Sequence, residues 1–416
     1  MSFRKTLFIV LAIVICLGAL PAAAQDEPIQ MSMWVRSIPF QTQELVDQWN
    51  ANNDSQIELT VVPSGEFVTK MGAAIAAGEP PDIASIDLIY TPAFAAAGQL
   101  VDITDFVREL PYADSLTPAH MELGMYEGRN YAVPTGVDGS FIVYNIDLFE
   151  QAGLDPDNPP STWDGMLEAA RAINDLGDDT YGYWFSMNCA GCNAFTFLPF
   201  IWASGGDVLS DDYTEATIAS DPIVAEALAF YNTIWEEALV PEGASIDNGS
   251  NFVSAFGAGN IGMAGTGNFA ISGYTNDFPD LNFGVFHIPG KEGGAASFGG
   301  GDVIAIPSGT EHVEEAWRFI EWTMSDEAQI EIYAANGQIP VRLELVDNPY
   351  FEGDDRQLTA ASALAVGHTP YTTVYNDLFN DPNGPWLEML QIAILDGDID
   401  GAIELGQERF TQIMEG

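Results

Sequence analysis

The chain has 416 residues, more than one hydrophobic core comfortably holds, and its 47% hydrophobic and 11% aromatic content excludes a disordered chain and points to two domains or lobes. Its 61 Asp and Glu against 12 Lys and Arg give a formal charge of −49. Such a surface excludes nucleic acid as a partner, because phosphates need clustered Lys and Arg, and it argues against anionic ligands and direct docking on anionic lipid.

The N-terminus reads as a targeting segment. Arg4 and Lys5 form a basic start, Leu7 to Leu20 is an apolar run too short to span a bilayer well, and Ala22-Ala23-Ala24 precedes Gln25 as a small-residue cleavage site. Residues 1–24 are expected to be an export signal, leaving the mature chain in the periplasm or outside the cell, at the outer face of the cytoplasmic membrane. A lipid anchor on Cys16 is the weaker alternative, since bulky Val14 and Ile15 stand where lipoprotein signals want small residues. Cleavage removes two of the 12 basic residues and none of the 61 acids, taking the charge from −49 to −51 and leaving Lys70 and Lys291 as the remaining lysines. This acidity suits solubility after export, or a saline medium in which self-repulsion is screened.

Elements follow in chain order. Ile29 to Trp34 alternates as a strand. Phe40 to Asn50 reads as a helix, Ile57 to Val62 as a strand, and Phe67 to Ala77 as a helix ended by Gly78. Pro80-Pro81 leads into a strand at 82–86, and Thr91 to Ala97 is a helix stopped by Gly98. Strands alternating with helices predict a mostly parallel sheet. Tyr126 to Pro134 predicts a turn at Gly128 and a short strand, with a second strand at Phe141 to Tyr144. Ile146 to Ala152 is a short helix, and Ser161 or Thr162 caps a helix through Ile173. Tyr181 to Phe185 is a strand, Phe195 to Ala203 a helix, and Pro222 to Leu239 a helix capped by Asp221. Ile261 to Gly265, Phe283 to His287 and Val303 to Ile306 are strands. Glu311 to Thr323 and Asp326 to Ala335 are helices broken at Ser325, and Trp386 to Ile394 and Ile399 to Phe410 are the clearest later helices.

The stretch VPTGVDGSFIVYN with its following helix pair, together with AAIAAGEPPDIASID and AAGQLVDITDFV, closely resembles the extracellular solute-binding proteins of ABC importers, of the maltose-binding and oligosaccharide-binding type. The resemblance extends over nearly the whole mature chain. It implies an α/β, two-lobed fold of the periplasmic-binding-protein kind, each lobe a mixed sheet flanked by helices, with a ligand cleft between. It divides the chain into 25–137 with 285–324 as the first lobe and 138–284 with 325–416 as the second, with hinges near 134–138, 283–298 and 324–327. It further implies a binding module without catalysis or cofactor, expected to act as a monomer, that captures a sugar by hinge closure and hands it to membrane permease subunits. A polyol or a polyamine is the alternative cargo, the latter because negative charge attracts cations. A secreted glycoside hydrolase is the alternative of another class, disfavoured by the absence of GxSxG, of a zinc signature and of eightfold barrel repeats.

In parallel sheets ligands sit beyond the carboxyl ends of strands, which selects the loops holding Trp34, Arg36, Glu66, Asp87 and Tyr90. By resemblance, Asp138 stands where the family places an acid on sugar hydroxyls. Asn193 and Phe195 stand at a polar and an aromatic cleft position, and Phe269, beside Asn268, at a stacking aromatic. Phe298-Gly299-Gly300-Gly301-Asp302 reads as a glycine turn whose bare backbone approaches a ligand, with Asp302 as acceptor. Arg342 and Trp386 are further candidates, with Trp202 behind them. Such a mixture suits sugars, which present C–H faces to aromatics and hydroxyls to polar groups. Cys189 and Cys192, in NCAGC, are expected to form a disulfide after export; a redox pair, half of a metal site or free thiols are the alternatives. His120, His287, His312 and His368 are dispersed and suggest no metal site. Gly257-Ala258-Gly259-Asn260-Ile261-Gly262 matches GxGxxG, but it enters a strand instead of leaving one, so a close strand contact is the better reading.

Overall fold

A computed structural model describes residues 28–36, 40–177 and 179–416; the export signal and Cys16 lie outside the described residues. The first strand, β1 (Gln30–Val35), pairs in parallel with β2 (Gln56–Val61) and with β3 (Ile83–Asp87). The intervening helices α1 (Phe40–Asn52) and α2 (Ser64–Ala77) make these crossover units, and Gly78 in the left-handed region (φ 77°) ends α2 as the sequence predicts.

Two long strands carry the chain between the lobes. β4 (Ala132–Asn145) is a single 14-residue strand where the sequence suggested two with a crossing segment between. Pro134, which lacks an N–H for the ladder, is accommodated by a register shift: Pro134 faces Val303 and Gly136 faces Asp302, leaving Thr135 as the extra residue of a bulge. From Ser140 onward β4 changes partners, pairing with β6 (Ile261–Gly267) and β7 (Phe283–Phe286). β5 (Tyr181–Trp184) extends that side in parallel with β6. The second crossing strand, β8 (Ala295–Ala305), runs straight through the three glycines read from sequence as a turn. It pairs antiparallel with β3 through Asp302–Ala305 and with β4 through Gly299–Ala305. The sheet order is therefore β2-β1-β3-β8-β4-β6-β5.

Helices cover both lobes, and α6 (Phe269–Asp277) follows β6 after Asn268. α3 (Trp163–Asn174) is capped by Thr162, whose Oγ1 accepts from Gly165 N at 3.1 Å. Its Trp163 stacks on Phe230 of α5 (Pro222–Glu236), and Tyr231 is ringed by Phe185, Phe197 and Phe200. Phe197 and Phe200 come from α4 (Ala190–Trp202), which begins earlier than the sequence suggested and takes Cys189 as its cap. In the first lobe Trp49 of α1 meets Phe319 of α7 (Val313–Thr323) edge to face. The sequence places 325–416 in the second lobe, but within it the stretch 326–341 packs on the first. Tyr333 OH and Thr135 Oγ1 are 2.8 Å apart, Asn336 donates to Glu44 of α1, and Thr117 N donates to Val341 O. The second lobe is completed by α9 (Pro385–Ile394) and α10 (Ile399–Glu415), while α8 (Asp355–Leu364) lies over the crossing strands. Among the described residues no helix is long and apolar enough to cross a membrane.

Candidate functional site

A cavity of about 860 Å³ follows the crossing strands at the boundary of the lobes. β1 ends there, so Arg36 just past it, with Ser85 of β3, the bulged part of β4 and the glycine part of β8, lines one space. Arg36, just past β1, is the centre of the first-lobe wall. Its Nη1 lies 3.0 Å from Asp87 Oδ2, its Nη2 2.6 Å from Asp302 Oδ1, and its Nε donates to the same Asp302 oxygen at 2.7 Å. Ser85 Oγ donates to the other Asp302 oxygen at 2.9 Å. Burial works against the guanidinium's charge, but the Asp302 and Asp87 carboxylates more than offset it and hold Arg36 above the ordinary arginine value. Burial raises Asp87, with Arg36 opposing.

The opposite wall is built differently. Asp138 of β4 accepts from the backbone N–H of Asn268 at 2.9 Å, and the Asn268 side chain returns an acceptor to Gly139 N at the same distance. No basic side chain among the described residues pairs with Asp138. Burial pushes its carboxyl up to about 7, against the pull of backbone N–H groups and of Arg36 at a distance. Gly267 makes the room: a Cβ there would lie 2.6 and 2.8 Å from the two Asp138 oxygens and 2.8 Å from Phe195 Cζ. Phe195 and Phe269 lie 6.3 Å apart, and Phe269, 41% exposed, stacks on Phe252. Behind β8, buried His120 places Nε2 2.6 Å from Gly300 O, and burial lowers the ring to about 4, so it is a neutral donor that steadies the strand.

Of the sequence candidates, the structure thus brings together Arg36, Asp87, Asp138, Phe269, Gly301 and Asp302. Gly301 lines the cavity, but its φ of 108° and a Cβ that would fall 2.0 Å from Gly136 O show that strand packing is what demands glycine. Tyr90 sits beside Asp87 with its OH 3.4 Å from Asn376 and 3.5 Å from Asn380, joining the first lobe to the 376–380 segment. The remaining candidates lie elsewhere. Trp386 is fully buried against Phe197 and Phe379, a core residue of the second lobe. Arg342 lies over the Tyr112 ring, clamped by Asp326 and Glu344 in a separate notch. Asn193 spends its amide on the carbonyls of Ser186, Met187 and Cys189, pinning the loop closed by the Cys189–Cys192 disulfide. Glu66 pairs with Lys70 on the exposed face of α2. Trp34 points to the sheet face opposite Met33, which lines the cavity. Trp202 stacks on Phe298 and meets His368 edge to face, outside the cavity. The glycines at 257–262 serve packing, since a Cβ at Gly262 would meet Ile173 and Gly182 O.

Sequence reasoning missed Ser85, Thr135 and Tyr333 on the first-lobe side, and Asp354, Arg356 and Gln357 at the far end of the cavity. Ser85 was legible as the inward residue two before the end of β3. The 354–357 group carried no signal, because α8 reaches the cavity only through the return of the chain across the lobe boundary.

Residues 41–330 match the sequence model of the bacterial extracellular solute-binding proteins, and the chain belongs to that family. It is 26% identical to the diacetylchitobiose binding protein DasA of Streptomyces coelicolor over 85% of this chain and 82% of that protein. It is 25% identical to the maltotriose-binding protein of Pyrococcus abyssi over 86% and 76%. An ABC transporter solute-binding protein of Thermotoga lettingae, solved with alpha-D-tagatose, shares the two-lobed fold with a TM-score of 0.82 at 23% identity, covering 93% of this chain and 100% of that one.

Proposed function

We propose that this solute-binding protein captures a carbohydrate, of oligosaccharide size, in the cleft between its lobes and delivers it to the membrane permease of an ABC importer after export. The observation that carries this reading is the meeting of Arg36, Asp302 and Asp138 with the face of Phe269 in one cavity of about 860 Å³. A sugar needs both kinds of group, acceptors and donors for its hydroxyls and an apolar face for its C–H surface. The named cargoes of the relatives in Streptomyces and Pyrococcus support the same class. Ligand contacts to both walls would favour the closed arrangement, with β4 and β8 as the crossing segments that flex. The acid-lined wall also admits a polyamine.

The test is a thermal-shift screen of the chain from Gln25 against mono- and oligosaccharides, polyols and polyamines. A ligand at about a hundred times its dissociation constant adds roughly 2.7 kcal/mol of stability. A shift with one saccharide class, with the sugar recovered intact, is the expected result. A shift with polyamines alone would overturn the carbohydrate reading.

A further inference from the structure

Every guanidinium that lines the cleft is already committed. Arg36 is clamped by two carboxylates, and Arg356 at the far end is held bidentately by Asp354 at 2.9 Å. Lys70 and Lys291, the two lysines beyond the export signal, each pair with a surface glutamate away from the cavity. Asp138 is the exception among the charges withdrawn from solvent in the cavity: a carboxylate with backbone N–H partners and no cation, whereas Asp277, also unpaired, is exposed. A buried ionised group without a counter-charge is costly, and in the free protein Asp138 relieves that cost by holding its proton more tightly, which a cationic partner would reverse.

The surroundings of Asp138 define what that partner is. The carboxylate oxygens and the edge of Phe195 fill the room that the missing Gly267 side chain leaves, and Phe269, which lines the cavity together with Asp138, packs beside Phe195. A carboxylate in one cavity with a half-exposed aromatic ring is the chemistry that holds an organic ammonium, by ion pairing on one side and by the ring on the other. A hydroxyl satisfies the hydrogen bond but leaves the charge uncompensated.

We infer that the carbohydrate this cleft selects carries a protonated amino group, an amino sugar with its nitrogen unacylated, seated on Asp138 beside Phe269. This rests on the carbohydrate reading above and narrows it. Asp302 and Asp87 are not available for the same task, because Arg36 already compensates them, so one ammonium is selected at one position.

The experiment compares a matched pair of disaccharides by calorimetry on the mature chain at about pH 7, where a sugar amine is substantially protonated: the glucosamine dimer with free amines, and its N,N′-diacetylated form, with maltotriose as a sugar without nitrogen. The expected result is at least about tenfold tighter binding of the free amine, given what close charge pairs contribute when desolvated. Asp138→Asn, which keeps the acceptor for Asn268 N–H, should abolish that preference, so that the free-amine dimer binds no tighter than the acetylated one. Equal or tighter binding of the acetylated dimer or maltotriose by the unaltered chain overturns this inference and leaves the carbohydrate reading intact. Binding of no saccharide, with or without an amine, overturns both. The paired comparison on the unaltered chain decides the matter even if the variant does not fold.

Discussion

The two walls of the cleft hold their acids by opposite means. On the first-lobe wall a single arginine neutralises Asp87 and Asp302, and Ser85 completes the network, so charge is compensated inside the protein. On the other wall Asp138 is held by backbone N–H groups and desolvated by Phe195 and Gly267, so its charge is left open. In a chain this poor in cations, compensation is rationed, and the position where it is withheld is the informative one. A buried acid with an arginine is explained by the fold alone. A buried acid without one asks for something from outside.

Four changes would break or sharpen this contrast. The largest effect on the fold should come from Trp386→Ala, which removes a fully buried indole behind the second-lobe wall and should cost about 3–5 kcal/mol in denaturant unfolding. Ligand affinity of the folded fraction should be unchanged, which separates the core beneath that wall from the wall itself. Asp302→Ala should cost about 2–3 kcal/mol, less than a fully enclosed pair because Arg36 keeps some contact with water, and it should also abolish ligand binding by freeing Arg36 and Ser85. Unfolding and calorimetry together check both parts.

Phe269→Ala should weaken ligand binding by about tenfold, roughly 1.4 kcal/mol, while leaving stability within about 0.5 kcal/mol because the ring is half exposed. The smallest effect is a slope. Asp138 titrates at about 7 in the folded chain, above its unfolded value, so the folded state binds the proton more tightly. Stability from this group is therefore highest in acid, falls as pH rises through the interval from about 4 to about 7, and stays low above it. The melting midpoint of Asp138→Asn should gain on that of the unaltered chain across this interval and hold its gain above about pH 7. A difference that does not change with pH would place Asp138 outside the desolvated wall.

Legibility from sequence varied with the range of the interaction. Arg36 and Asp87 were singled out because they stand at strand ends, a local feature with a general consequence in parallel sheets, and Asp302 because it closes the glycine run at 299–301. Asp138 and Phe269 were found by resemblance alone, since one acid among 61 carries no signal by itself. Arg342 and Trp386 went astray for a common reason: rarity and residue type marked them, but which face of a helix or loop meets the cleft depends on distant packing. Arg342 was taken by Tyr112, and Trp386 by Phe197 and Phe379. Pro134 and the glycines at 299–301 read as breaks, yet both lie within strands, because each strand supplies the irregularity the other needs.

The sequence by itself determined the alternation of strands and helices, the cap at Asp221 and one at Ser161 or Thr162, the acidity and the class of protein, all of which follow from near-neighbour chemistry or from phrases of the chain that the family shares. Tertiary structure alone decided which acids share Arg36, which one is left without a cation, and on which lobe the stretch 326–341 packs. Those outcomes depend on residues such as Arg36 and Asp302, 266 positions apart, whose meeting is set by the register of β3, β8 and β4 and by no local pattern.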